Sequence, residues 1–247
     1  MMLRFYADES GDDRSGIVRI AGYLMTDEQW KRIDSGVDDA LGRLRWFHMK
    51  TADRMAHPRA YKRLLQTISP RSVLCGVSVS VNRKEYDALA SERSGKETMK
   101  SWMGSHYSFL VQAAMHLCGI MCREQQRLDD WIAYFFESGH PSEGDANVSV
   151  NLFAKRQYRG QAEAARYASH TFLAKEGPLS KALIPCDILA WHLTRAQREG
   201  EPSEELRQLL QTPACYKNFT ADDIRWSIAR SKLRMDTFNR HGRPYKH

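Results

Sequence analysis

The chain has 247 residues, with 37 Lys and Arg against 30 Asp and Glu, for a formal net charge of +7. Hydrophobic residues make up 42% and charged residues 27%, which excludes a disordered, collagen-like or low-complexity chain. That length supports a sizeable core, and no apolar run approaches the roughly 18 residues a membrane span needs.

The first predicted strand covers Leu3 to Asp8, and Glu9-Ser10-Gly11-Asp12-Asp13 reads as a polar turn. A second strand, Ile17 to Met25, completes an antiparallel hairpin. Thr26-Asp27-Glu28-Gln29 has the spacing of a capping box. Trp30, Ile33, Val37, Leu41 and Leu44 then recur at helical intervals. A short helix is predicted from Pro58 to Thr67, and a strand from Val73 to Val81. A long helix spans about Lys100 to Arg127, and Trp131 to Phe136 reads as a buried strand. A helix follows around Val148 to Ala168, then a short strand at Ser169 to Lys175. Another helix begins near Pro185, and Ser203 and Thr220 cap two more. This alternation predicts one α/β domain over residues 1–200, with a helical basic extension over 201–247 packed on it.

The five cysteines form no CxxC pair, and Cys118 and Cys122 share a helix face, so buried small side chains are expected. The N-terminus reaches Asp8-Glu9 without a signal-like apolar segment. A cytoplasmic, membrane-free protein is therefore expected.

Three acidic positions stand out. Asp8 and Glu9 end the first strand, Glu137 ends the strand at 131–136, and Asp187 opens a helix after Pro185. Strand ends and helix starts at one sheet edge are where α/β folds place their sites. Gathered carboxylates repel one another until a divalent cation offsets their charge, and oxygen-only donors suit Mg²⁺ or Mn²⁺. Two such ions support phosphodiester hydrolysis. Taken singly, each acid also fits a turn residue or helix cap.

Phe5-Tyr6-Ala7-Asp8-Glu9-Ser10-Gly11-Asp12 resembles the opening of the domain-of-unknown-function 3800 family, whose first strand typically ends in Asp-Glu-Ser-Gly. Pro185-Cys186-Asp187-Ile188-Leu189-Ala190-Trp191 is similar to that family's late Gln-x-Ala-Asp-Leu-Leu-Ala segment. The family looks like a divergent branch of the ribonuclease H-like fold. The resemblance implies a mixed β-sheet flanked by helices on both faces, and an acidic metal site. It makes Asp8, Glu137 and Asp187 the metal ligands, with Glu9 a candidate fourth. Successive strand residues point to opposite faces, so one of Asp8 and Glu9 faces away, and Asp8 is favoured for the site. The family's Gln is Ile184 here and its Ala is Cys186.

His48, with Lys50 nearby, is a candidate to orient a phosphate or relay a proton. His140 and His106 read as loop and helix-start residues. Lys155, Arg156, Arg159 and Arg166 lie on the predicted helix after Glu137. Arg225, Arg230, Lys232, Arg234, Arg240, Arg243 and Lys246 are interleaved with Trp226, Phe238 and Tyr245 near the C-terminus. Such residues neutralise phosphates and stack on bases, and a solvated helix face has the same composition. Together these residues predict a Mg²⁺- or Mn²⁺-dependent nuclease acting on DNA or RNA. Two other readings use the same residues: a catalytically inactive nucleic-acid-binding module, and a protein-interaction subunit of a mobile-element or defence system.

Overall fold

A computed structural model of the chain describes residues 1–12, 15–49, 53–94, 97–98, 104–127, 129–157, 166–174, 177 and 179–227. Its centre is a six-stranded mixed sheet. β1 (Met2–Asp12), β2 (Ile17–Thr26) and β3 (Cys75–Asn82) run antiparallel to one another in turn. β4 (Arg93–Ser94) and β5 (Glu97–Thr98) form a separate small ribbon. β6 (Trp131–Glu137) lies parallel to β1, and β7 (Arg166–Leu173) parallel to β6. β8 (Ala214–Phe219) lies parallel to β3, giving the order β7-β6-β1-β2-β3-β8.

Helices cover both faces. One layer contains α4 (Arg83–Ser91), α5 (His106–Glu124) and α6 (Glu143–Gln157). The other holds α1 (Asp27–Leu41), α3 (Pro58–Thr67), α7 (Leu183–Glu199) and α8 (Glu204–Leu209). The short α2 (Asp53–Ala56) precedes α3. The alternation within each strand sorts the core. Leu3, Phe5 and Ala7 of β1 join Val77, Val79 and Val81 of β3 under α5, while Tyr6 of β1 joins Ala21, Tyr23 and Met25 of β2 under α7.

Local signals are met at several boundaries. Gln29 N–H donates to Thr26 Oγ1 at 3.2 Å, and Thr26 N–H donates back to Gln29 Oε1 at 2.9 Å. Such a box stabilises a helix start by about 1 kcal/mol. Ser203 and Thr220 cap as expected, accepting from Leu206 and Asp223 N–H. Cys75, Cys118, Cys122 and Cys186 are buried and unpaired.

Three expectations change. β1 does not stop at Asp8: it continues to Asp12, because Glu9, Ser10, Gly11 and Asp12 all pair with β2. α6 starts earlier, at Glu143, and the chain returns to strand from Arg166. The segment beyond 200, expected to be a helical extension, supplies strand β8 to the main sheet. Among the described residues, no helix is long and apolar enough to cross a membrane.

Candidate active site

β1 and β6 run in step from Met2↔Trp131 to Ala7↔Phe136, so Asp8 and Glu137 occupy the next position. Two residues earlier, Tyr6 and Phe135 stack on the α7 face with centroids 4.6 Å apart. A period of two puts Asp8 and Glu137 on that same face, on backbones spaced about 4.8 Å apart. Asp8 is only 5% exposed, and Glu9 N–H donates to its Oδ1 at 2.6 Å.

α7 is fastened over this end of β1. The Cys186 sulfur lies 3.1 Å from the Tyr6 carbonyl oxygen and 3.2 Å from that of Ala182, so its one proton is shared between strand and helix. Burial raises the pKa of that thiol well above its usual value, and the nearby Asp8 adds to the effect. Cys186 therefore docks the helix on the strand.

Asp187 follows directly. It lies past the first turn of α7, whose first residue is Leu183, so it does not serve the helix's own N–H groups. Its Oδ2 instead accepts Met49 N–H at 2.9 Å and lies 3.0 Å from His48 Nδ1. One buried carboxylate thus ties the loop after α1 to α7. His48, remote in sequence, is brought to Asp187.

Glu9 goes elsewhere. Because β1 continues, alternation turns Glu9 to the α5 face, where its Oε2 lies 3.6 Å from His140 Nε2. Ser142 N–H donates to His140 Nδ1 at 2.9 Å, which fits a neutral imidazole carrying its proton on Nε2, toward Glu9. The ring stacks on Tyr107 at 4.0 Å and meets His106 edge-on at 5.9 Å. Burial pushes the His140 pKa down to about 4, aided by His106 and Arg83. The expected group of acids is therefore divided by the sheet. Asp8, Glu137, Asp187 and His48 belong to the α7 side; Glu9 and His140 belong to the α5 side.

Of the expected phosphate-binding residues, Lys50, Arg159, Arg230 and Arg234 lie outside the described residues, as do Lys232, Phe238, Arg240, Arg243, Tyr245 and Lys246. Lys155 and Arg156 fall in the last turn of α6, and Arg166 begins β7; their side chains are also outside the description. A different cationic group is present that the sequence analysis missed. Asp187, Trp191 and Arg195 recur every four residues along α7 and so share a face. The Arg54 guanidinium carbon lies 4.7 Å from the Trp191 ring centroid and that of Arg195 5.4 Å from it. The i, i+4, i+8 spacing was legible in the sequence. The arrival of Arg54 from α2 was not, because it depends on how α2 and α3 pack beside α7.

Directly after Trp191, His192 is 2% exposed, with Tyr61 Oη 2.6 Å from Nε2 and Ser203 Oγ 3.1 Å from Nδ1. Burial pushes its pKa down to about 4. The unfolded chain takes up this proton near pH 6.5, while the folded chain resists it until about pH 4. The stabilisation is full above the unfolded value and is lost as pH falls through that window. We expect a loss on the order of 3 kcal/mol from His192 between pH 7 and pH 4, with His140 acting in the same direction. Urea unfolding at several pH values measures it. His192→Gln should flatten the dependence, and an unchanged pH slope in that variant would contradict the assignment.

Among the described residues, no three His, Cys, Asp or Glu side chains are arranged to hold a metal ion. Asp8 and Asp187 each engage a backbone N–H of their own. No protein-family model matches the chain, and no curated protein matches it.

Proposed function

We propose that this protein is a Mg²⁺- or Mn²⁺-dependent nuclease of ribonuclease H-like type, hydrolysing phosphodiester bonds at the edge bearing Asp8, Glu137 and Asp187. One observation carries the reading: carboxylates from two adjacent parallel strands and the helix docked over them face the same side at one end of the sheet. The mixed sheet with helices on both faces supports it, as does the resemblance of the 5–12 and 185–191 segments to the domain-of-unknown-function 3800 family.

All three side chains offer carboxylate oxygen, the donor type a hard cation takes, although the structure does not draw them into one cation shell. A divalent ion held there supplies positive charge to the carboxylates and to an approaching phosphodiester. The protein's own groups do the rest. Asp187 accepts from His48 Nδ1–H, which orients the imidazole and leaves Nε2 as the nitrogen that takes or gives a proton. Arg54 and Arg195, held against Trp191 one and two turns along α7, grip backbone phosphates of the strand leading to Asp187. Neither contact reads sequence, so the reading predicts little base preference.

The test is cleavage of labelled single-stranded, double-stranded and hybrid oligonucleotides with and without Mg²⁺ or Mn²⁺. Cleavage that requires the ion is the expected result. Salt-sensitive binding without turnover would replace this reading with a binding module, which the buried Ile184 in place of the family's Gln favours. Neither binding nor cleavage would leave a protein-interaction role.

A further inference from the structure

On the α7 side of the sheet, away from β6, sits a cation with no opposite charge among its hydrogen-bond partners. Arg19 of β2 is 2% exposed. Its Nη1 donates to Ser78 Oγ at 2.7 Å. Its Nη2 donates to Gln197 Oε1 and, at 3.4 Å, to Asn218 Oδ1. Its Nε is buried without a hydrogen-bond partner. Every acceptor is a neutral hydroxyl or amide. Burying a guanidinium under such conditions is costly, because the charge loses water and gains no counter-charge. Desolvation accordingly pushes the Arg19 pKa down to about 10.

A cleft of about 570 Å³ lies beyond this network: Ser80, Gln197 and Asn218 form part of its wall, and Arg19 sits behind them. That volume falls within the range of small-molecule sites, about 300–1,000 Å³. Ser80 Oγ donates to Asn218 Oδ1 at 2.6 Å, which holds the asparagine in place. Gln197 is exposed near the C-terminal end of α7, and its Oε1 accepts from Arg19 Nη2 and, at 3.3 Å, from Ser80 Oγ. The edge of a guanidinium formed by Nε and Nη2 is the one that grips a carboxylate or phosphate with two parallel hydrogen bonds. In Arg19, Nε is vacant, while Nη2 holds a displaceable Gln197 and a long contact to Asn218. Tyr216 Oη is also buried without a hydrogen-bond partner.

We propose that Arg19 and this cleft form a binding site for an oxyanion group, carboxylate or phosphate, of a small molecule. Gln197 is the gate, giving up Nη2 as the ligand enters, and Ser80 and Asn218 line the passage. The rim carries Glu85 and Asp222, the latter 3.1 Å from Arg225 Nη1. These acids disfavour highly charged polyphosphates and favour a ligand with a single anionic group. The site stands independently of the nuclease reading, since it uses none of Asp8, Glu137, Asp187 or His48.

The test is melting and calorimetric titration of the full chain with acetate, inorganic phosphate and chloride at constant ionic strength. Acetate or phosphate should raise the melting temperature saturably, and chloride should not. The better of the two identifies the headgroup. Arg19→Met should fold, because replacing an uncompensated buried charge with a similar-sized apolar side chain is often neutral or stabilising, and should weaken binding at least about tenfold. Gln197→Ala should bind several-fold more tightly, because a competing acceptor is gone. Absence of a saturable effect from either oxyanion, or an equal response in Arg19→Met, overturns the proposal. Weaker binding by Gln197→Ala overturns the gate and the fork it uncovers.

Discussion

Asp187→Asn lowers metal-dependent cleavage by about a hundredfold or more, with little change in melting temperature, if the proposed site is correct. The expectation follows from what an amide can and cannot replace. Asparagine keeps an oxygen to accept Met49 N–H, now 2.9 Å from the carboxylate, so the loop stays docked on α7. It loses the charge that makes a useful cation ligand. The same Oδ2 also lies 3.0 Å from His48 Nδ1, so an amide oxygen in its place still orients the ring but no longer offers a negative charge to stabilise the imidazolium. Asp8→Asn should show a similar loss. Glu9→Gln is the informative control, because Glu9 faces His140 across the sheet from the other acids and should alter the rate only slightly. Full activity in Asp187→Asn, or equal losses in Glu9→Gln and Asp8→Asn, would refute the assignment.

Gly22→Ala destabilises the protein by about 3 kcal/mol or more. Gly22 lies in the middle of β2, opposite Ala7 of β1 and Val77 of β3. A Cβ added there would stand 1.9 Å from the Tyr6 carbonyl oxygen and 2.7 Å from Ala7 Cα. Both obstacles are backbone, so relief requires the central strands to part, and the displaced segment is the one that presents Asp8. For a chain of this size the loss corresponds to a melting shift of roughly 6–12 °C. Gly11→Ala is the matched comparison. It lies further along β1, with nothing within 4 Å of the added carbon, and should change stability by less than about 0.5 kcal/mol. Thermal melting of both variants decides the matter; equal shifts would show that close packing at Gly22 is not what limits the position.

Much of the scaffold was legible because its signals are local. The capping box at Thr26 and Gln29, the Pro58 helix start and the apolar run at 131–136 each fix an element with neighbouring residues alone. The end of β1 was misread for the same reason. Glu9-Ser10-Gly11-Asp12 has turn-like composition, and its strand conformation comes from pairing with Ile17 to Ile20, a tertiary preference that overrides local propensity. That error mattered for the site, because only a continuing strand sends Glu9 to the opposite face. His48 was visible as a candidate, yet nothing in the sequence connected it to a residue 139 positions later. The link is a single buried carboxylate that also holds the Met49 amide. Arg19 was not singled out at all. A lone arginine in an apolar strand gives no hint that its acceptors will come from Ser78, Gln197 and Asn218, on three separate elements. The alternating serines of β3 make room for it, since Ser78 and Ser80 face the α7 side while Val77, Val79 and Val81 fill the other core.

The pairing of β3 with β8 joins residues 76–81 to residues 214–219, parallel and in register. A parallel neighbour so distant along the chain pairs slowly, since the loop it closes is long. Until then the backbone groups along one side of β3 are exposed, beside the valine-rich stretch Val77 to Val81. Nascent or truncated chains ending before residue 214 therefore present a ready template for intermolecular strand addition. β8 is thus a guard against self-association as well as a part of the sheet.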